Sequence, residues 1–317
     1  MAVTNAIPMG EEWSAPAATW SLRLAFFSVG LLAVALVLHR LLGLPTPILL
    51  NTFAVSVAGA ALAAVLALAA MVHVWVSGRR GFGLALVGLF VSLGVLALSV
   101  TAFMFARQLP PINDVSTDFT TPPQLVALAR ERASGANDPA YPGATFAALQ
   151  SAAYPDLLPV RIDRSVEEAF ELAAEAVRRL KFHIVSETPP EQDTAGLIEA
   201  VDRTLVIGFE DDVVIRVIGD QHRAQVDIRS ASRYGSHDFG RNAARVRDVI
   251  RELHARVEST VPAAPGSRTV RAKAKDGKTP LSKRLSTGDR GKADRRTERD
   301  RARSDAQRGP APRERPR

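Results

Sequence analysis

The run Phe82–Ala106, FGLALVGLFVSLGVLALSVTAFMFA, holds 25 consecutive residues without a charge. Its polar interruptions include Ser92, Ser99 and Thr101, whose hydroxyls can bond back to a helix backbone where water is absent. At ~1.5 Å per residue such a helix spans a ~30 Å hydrocarbon layer, so the run predicts a membrane-crossing helix. Toward the N-terminus, Phe53–Val76 repeats the pattern, broken only by Ser56, Gly59 and His73. Leu24–Leu44 repeats it again, and its polar members His39 and Arg40 lie near its end, where side chains reach the headgroup layer. Three such runs in succession exclude a plain soluble globule.

Glu11 and Glu12 stand where a cleavable leader carries basic residues, so the first span is expected to stay attached. Three crossings put the termini on opposite sides. Arg23, Arg79 and Arg80 lie on one side against Arg40 and Arg107 on the other, a bias that favours a cytoplasmic N-terminus and an exported C-terminal domain. Within the second span Gly59, Ala63 and Ala67 form a small-residue ridge at i, i+4 and i+8, suited to helix-helix association. His73 lies one turn from the membrane edge without a carboxylate partner in the spans and reads as an interfacial residue.

The net charge of +7, from 40 Lys+Arg against 33 Asp+Glu, averages three regimes. Residues 1–106 carry net +2, residues 107–260 net −6 and residues 261–317 net +11. The chain has no Cys, which excludes disulfides, thiolate metal sites and a cysteine nucleophile.

The expected division is 1–23 N-terminal segment, 24–106 three-helix transmembrane region, 107–160 Pro-rich strap, 161–260 α+β domain and 261–317 disordered basic tail. Proline fixes φ and removes a donor, so the strap is expected to be extended, with a short helix over 124–133. Ser165 followed by Glu168 makes a capping box, and Val166, Phe170, Ala173, Val177 and Leu180 recur at helical spacing. Five strand-like runs follow, at 182–187, 196–202, 204–209, 212–218 and 225–232, with links too short for crossover helices. Pairing Val217 with Val226 sets Arg216 opposite Asp227. A last helix is expected over 239–257, capped by Asp238, with Phe239, Val246, Ile250, Leu253 and Val257 on one face. The fold class is therefore three N-terminal transmembrane α-helices, then an antiparallel sheet of about five strands with two helices on one face, then the tail.

Ile112-Asn-Asp-Val-Ser-Thr-Asp118 with Pro122-Pro123, then Gly208-Phe-Glu-Asp-Asp-Val213, then Arg229-Ser-Ala-Ser-Arg-Tyr-Gly235 with Asp238, Gly240, Asn242 and Ala243, resembles the domain of unknown function 1499 family over about residues 107–257. The resemblance implies a bacterial membrane protein with the domain after a few spans, and no assigned reaction. Lipoprotein-like relatives strengthen the expectation of a periplasmic domain on the inner membrane. Those forms carry a Cys near the domain start. This chain has none, so spans replace lipid anchoring.

The hairpin register sets Glu210–Asp212 beside Ala231–Arg233 and leads into the last helix, so Asp211, Asp212, Arg229, Ser230, Ser232, Arg233, Asp238 and Asn242 are expected near one end of the sheet. Three readings stand: a structural cluster of carboxylates, Arg233 and a capped helix; a pocket for a small anionic or polar ligand held by Arg233 and helix amides; or an envelope hydrolase or lipid-modifying site in which Asp211 and Asp212 bind a divalent cation and His237 acts as acid or base. His183, His222, His237 and His254 lack metal-site spacing, and no phosphate-loop or nucleophile-elbow motif is present. No cofactor or metal is expected, and a non-enzymatic binding or accessory module leads. The expected partners are the lipid bilayer and, for the 261–317 tail, an anionic envelope polymer or lipid. Nucleic acid is excluded as a tail partner if the C-terminus is exported, and is admitted only if the domain is cytoplasmic.

Overall fold

The computed structural model describes residues 15–192, 194–261 and 271–272. Among these residues three helices are long and apolar enough to cross a membrane: α1 (Pro16–Leu42), α2 (Thr46–Ser77) and α3 (Phe82–Ala106). The turns between them are short and begin at left-handed glycines, Gly43 and Gly78. The Ala15 N–H donates to the Arg80 carbonyl at 3.0 Å, so the start of α1 and the α2–α3 turn share one side.

Small residues set the packing of these helices, because apolar side chains gain nothing by leaving lipid for one another. A Cβ on Gly59 would sit 2.4 Å from Ser28 Oγ of α1, and one on Gly88 would sit 3.0 Å from the Leu22 backbone nitrogen. Ala63 and Ala67 are fully buried. The ridge Gly59, Ala63, Ala67 is thus packed within the chain, with α1 against Gly59.

The rest of the fold follows in the order β1 (Asp114–Ser116), α4 (Ala127–Glu131), α5 (Ala144–Ala153), β2 (Val160–Ile162), α6 (Val166–Arg179), β3 (His183–Thr188), β4 (Gly196–Arg203), β5 (Glu210–Gly219), β6 (Ala224–Ser232) and α7 (Arg241–Ser259). The Ser165 Oγ accepts from the Glu168 N–H at 3.2 Å, and the Glu168 carboxylate pairs with Arg164. Strands β3 to β6 form the antiparallel meander, and Val217 pairs with Val226 with Arg216 opposite Asp227.

Two expectations are corrected here. Residues 204–209 are not a strand. Arg203 pairs directly with Glu210, so the intervening six residues form the β4–β5 turn, closed by the Thr204 N–H donating to the Phe209 carbonyl at 2.8 Å and by Gly208 at φ +94°. The strap is also not merely extended: β1 and β2 both pair with β6, one at Ser116↔Arg229 and the other at Val160↔Val226. They cover an edge that would otherwise offer unpaired backbone groups. The sheet among the described residues has six strands, in the order β1-β6-β5-β4-β3 with β2 beside β1 on β6.

One face of the sheet, with Ile198, Val213, Ile215, Val217, Val226 and Ile228, is covered by α6 and α7. The opposite face, with Val201, Val214 and Ala231, is covered by Leu125 and Leu128 of the strap. The strap is held there by Glu199, a fully buried residue of β4, whose carboxylate accepts from the N–H groups of Val126, Ala127 and Leu128 at 2.7, 2.8 and 3.1 Å.

The last helix starts at Arg241, two residues later than expected, because Phe239 (φ +55°) and Gly240 (φ +75°) are left-handed. The N-cap position is Gly240 and not the expected Asp238, which lies two residues earlier and accepts from Gly240 and Asn242 N–H groups at 2.8 Å each. Phe239 consequently leaves the helix face and stacks on Phe105 of α3. Most of the basic tail lies outside the described residues; Thr260–Val261 pairs with Arg271–Ala272.

Candidate functional site

Alternation along a strand sends Asp211 and Asp212 to opposite faces of the sheet, and the eight expected site residues divide with them. On the helical face, Arg245 of α7 gathers the cluster. Its Nε donates to Asp202 Oδ2 and its Nη2 to Asp211 Oδ2, both at 2.7 Å, while Nη1 reaches Ser230 Oγ and Asn242 Oδ1 at 3.0 and 2.7 Å. The Ser230 hydroxyl donates to the same Asn242 oxygen at 2.8 Å. The Asn242 amide donates to the Asn113 carbonyl and to Ser232 Oγ at 2.8 and 3.0 Å. Every strong donor and acceptor in this group has a partner, as burial demands.

On the opposite face, Asp212 is fully buried and accepts from Arg233 Nε at 2.7 Å and Arg132 Nε at 2.8 Å. Arg233 continues to Glu210 at 3.0 Å. Arg229 is also fully buried. It grips Asp114 through Nε and Nη2, at 3.0 and 2.7 Å, and donates to the carbonyls of Pro123 and Pro139 at 3.0 and 2.8 Å. Arg216 pairs with both Asp227 and Asp118. The residues that carry the family resemblance therefore clasp strap to sheet.

This geometry corrects the chelating pair: Asp211 and Asp212 face opposite ways and each carboxylate is already held by guanidinium groups. Among the described residues no group of three or more His, Cys, Asp or Glu is placed to hold a metal ion. The first two amides of α7 are likewise taken, Arg241 N–H by the Asp238 carbonyl and Asn242 N–H by its carboxylate, and Arg233 lies on the far face from them.

A cavity of about 580 Å³ does open at this end of the sheet, where the β4–β5 turn and the β6–α7 link meet the start of α2. Asp211, Ser232 and Asp238 form part of its polar wall, with Arg241. Leu50 of α2, Leu205, Val206 and Phe209 of the turn, and Phe239 form its apolar wall. Sequence reasoning found Asp211, Ser232 and Asp238 but missed the others, because the apolar triplet 205–207 reads as a strand and nothing in a linear pattern brings Leu50 to it. Arg245 was missed too, although its i+3 position from Asn242 places both on one helix face.

The wall is anchored to the helices by specific contacts. Arg203 Nη2 donates to the carbonyls of His39 and Arg40 at 3.4 and 3.5 Å, and the Phe209 and His39 rings lie 5.8 Å apart. The Phe239 N–H donates to His237 Nδ1 at 2.9 Å, which leaves the proton on Nε2, and Nε2 donates to the Ala106 carbonyl at 2.9 Å.

The charges of the wall are unequal. Glu210 shares Arg233 with Asp212, and Asp211 shares Arg245 with Asp202. Burial pushes the Asp238 carboxyl above the usual carboxylate range, outweighing its two backbone donors, with His237 lowering it and Asp211 raising it further. Arg241 is exposed and pairs with no carboxylate among the described residues. Elsewhere, burial beside Asp114 raises the Tyr141 phenol to about 12, and the hydrogen bond from Arg247 holds Asp156 below its usual range.

No curated protein and no solved structure matches the chain. Residues 114–253 match the family model described as Protein of unknown function (DUF1499), and this stretch carries Asp211, Ser232, Asp238 and Arg241 of the cavity wall.

Proposed function

We propose that the protein is a membrane-anchored, non-enzymatic binding or accessory module whose domain takes up an anionic amphiphile, a lipid or lipid-like molecule, at the seam between the three apolar helices and the sheet. The observation that carries this reading is the composition of the cavity: a largely apolar wall with one uncompensated cation, Arg241, at the first turn of α7. A guanidinium binds phosphate or carboxylate oxygens in pairs, and an apolar wall accepts a chain. The divergence of Asp211 and Asp212 to opposite faces of the sheet, each paired with arginine, favours binding over hydrolysis.

The proposed location is the bacterial inner membrane, with the N-terminus cytoplasmic and the domain periplasmic. Arg23, Arg79 and Arg80 at one end of the helix bundle against Arg40 and Arg107 at the other support that orientation. Reporter fusions after Arg80 and after Val257 test it, and a cytoplasmic signal after Val257 would refute it.

The ligand reading is tested with delipidated full-length protein in dodecyl maltoside, titrated with phosphatidylglycerol or phosphatidylcholine and followed by thermal unfolding. Phosphatidylglycerol should stabilise the wild type more than phosphatidylcholine does, and Arg241→Gln should remove the difference. Equal stabilisation by both lipids in the wild type would refute an anionic head at Arg241.

A further inference from the structure

The β4–β5 turn carries Leu205 and Val206, each 87% exposed, the most exposed large aliphatic side chains of the described domain. A soluble surface rarely projects two adjacent aliphatic residues from the tip of a rigid turn. The turn is rigid in construction: Thr204 Oγ1 accepts from the Gly208 and Phe209 N–H groups at 3.1 and 2.8 Å, and Gly208 takes a left-handed conformation. The tip is therefore held outward.

Its position gives it a depth. Arg203 bonds to the carbonyls of His39 and Arg40, Gly208 lies against the Arg40 side chain, and Phe209 faces the His39 ring. Those α1 residues precede Leu41 and Leu42, which are 74% and 76% exposed. The apolar surface of α1 thus continues past the level at which the turn is attached. Any bilayer that covers Leu41 and Leu42 reaches the turn as well. Arg40 and Arg203 flank it, as expected of a boundary with anionic headgroups. At the far end of β5 the turn 220–223 carries Asp220, Gln221, His222 and Arg223, with no apolar residue. The asymmetry separates a lipid-facing end of the sheet from a water-facing one.

We propose that the β4–β5 turn is a bilayer wedge: Leu205 and Val206 insert into the leaflet on the domain's side, so the cavity wall they form is in contact with lipid and an amphiphile can enter from the membrane. This rests on the reading that α1–α3 cross the bilayer, and its occupant is the lipid of that same membrane.

The chain's lack of cysteine permits a direct test. Leu205→Cys, Val206→Cys, Leu62→Cys on the exposed flank of α2 and Gln221→Cys are each spin-labelled in the full-length protein. The labelled proteins are reconstituted in vesicles of phosphatidylethanolamine and phosphatidylglycerol. Collision with oxygen, which concentrates in lipid, is compared with collision with a water-soluble nickel chelate. The wedge requires labels at 205 and 206 to behave like 62, with high oxygen and low nickel accessibility, and unlike 221. Labels at 205 and 206 that match 221 while 62 is lipid-like overturn the wedge and leave the spans standing. Water-like behaviour at 62 as well overturns both.

Discussion

Replacing Arg229 by Met removes the guanidinium that ties the strap to the sheet and leaves the Asp114 carboxylate buried without its partner. Breaking a buried ion pair from one side costs about 3–5 kcal/mol. The carbonyls of Pro123 and Pro139 lose a donor in the same step, each worth about 1 kcal/mol. The sum, about 5–7 kcal/mol, is a large part of the 5–15 kcal/mol that holds an ordinary domain together. At about 2–4 °C per kcal/mol for a domain of this size, the midpoint of unfolding should fall by about 10–28 °C. The aromatic residues permit a clean readout, since all three Tyr (Tyr141, Tyr154, Tyr234) belong to the domain and all three Trp (Trp13, Trp20, Trp75) precede it. Tyrosine near-UV circular dichroism of the full-length protein in detergent should show the shift, with tryptophan fluorescence reporting the helices separately. Because the pair's desolvation offsets much of its attraction, the double variant Asp114→Leu with Arg229→Met should recover part of the loss. A fall of less than about 3 °C, or a double variant no better than Arg229→Met alone, would refute the clasp.

Glu199→Gln should destabilise the domain by about 1–3 kcal/mol, because an amide has one acceptor oxygen for the three N–H groups of 126–128; protease cleavage of the strap at native temperature measures it. Asp238 is held above the ordinary range by burial, so the folded state keeps a proton that the unfolded chain gives up near pH ~4, and this group's contribution to stability falls as pH rises from there. Asp156, lowered by Arg247, has the opposite sign: its contribution is present above pH ~4 and is lost as pH falls through its depressed value. Thermal melts from pH 3 to 7 should therefore show the wild type losing ground to Asp238→Asn as pH rises, and gaining on Asp156→Asn; a pH-independent difference in both would refute the assignment. Gly88→Ala should weaken the helix bundle by about 1–3 kcal/mol, because its Cβ would meet the α1 backbone at 3.0–3.1 Å; a tryptophan-monitored melt unchanged from wild type would contradict the packing.

The legible parts of the fold were those governed by local periodicity. The three apolar runs, the Ser165-capped helix and the β5–β6 register each follow from the spacing of their own residues. The apolar triplet at 205–207 misled for the same reason, since a strand pattern says nothing about whether a partner strand is available. Gly208 and the direct pairing of Arg203 with Glu210 made it a turn. The strap's β1, β2 and α5 were hidden because short strands and helices of two or three turns draw their stability from what they pack on, here β6 and the buried Gln150–Ser116 bonds.

By itself the sequence determined that this protein has three helices apolar enough for a bilayer, an antiparallel meander with helices on it, and a family signature around Arg229–Gly235, because hydrophobic period and residue order are properties of a linear chain. Only the tertiary structure decided what the signature does. Adjacent aspartates at 211 and 212 diverge to opposite faces, the strap supplies Asp114 and Arg132 to one network and α7 supplies Asn242 and Arg245 to the other, and both become buried clasps. It also brought Leu50, Val206, Phe239 and Arg241 to one cavity across nearly two hundred residues of chain. Such a site is a product of packing, in which residues meet because the elements that bear them bury their apolar faces together, and no local pattern records that meeting.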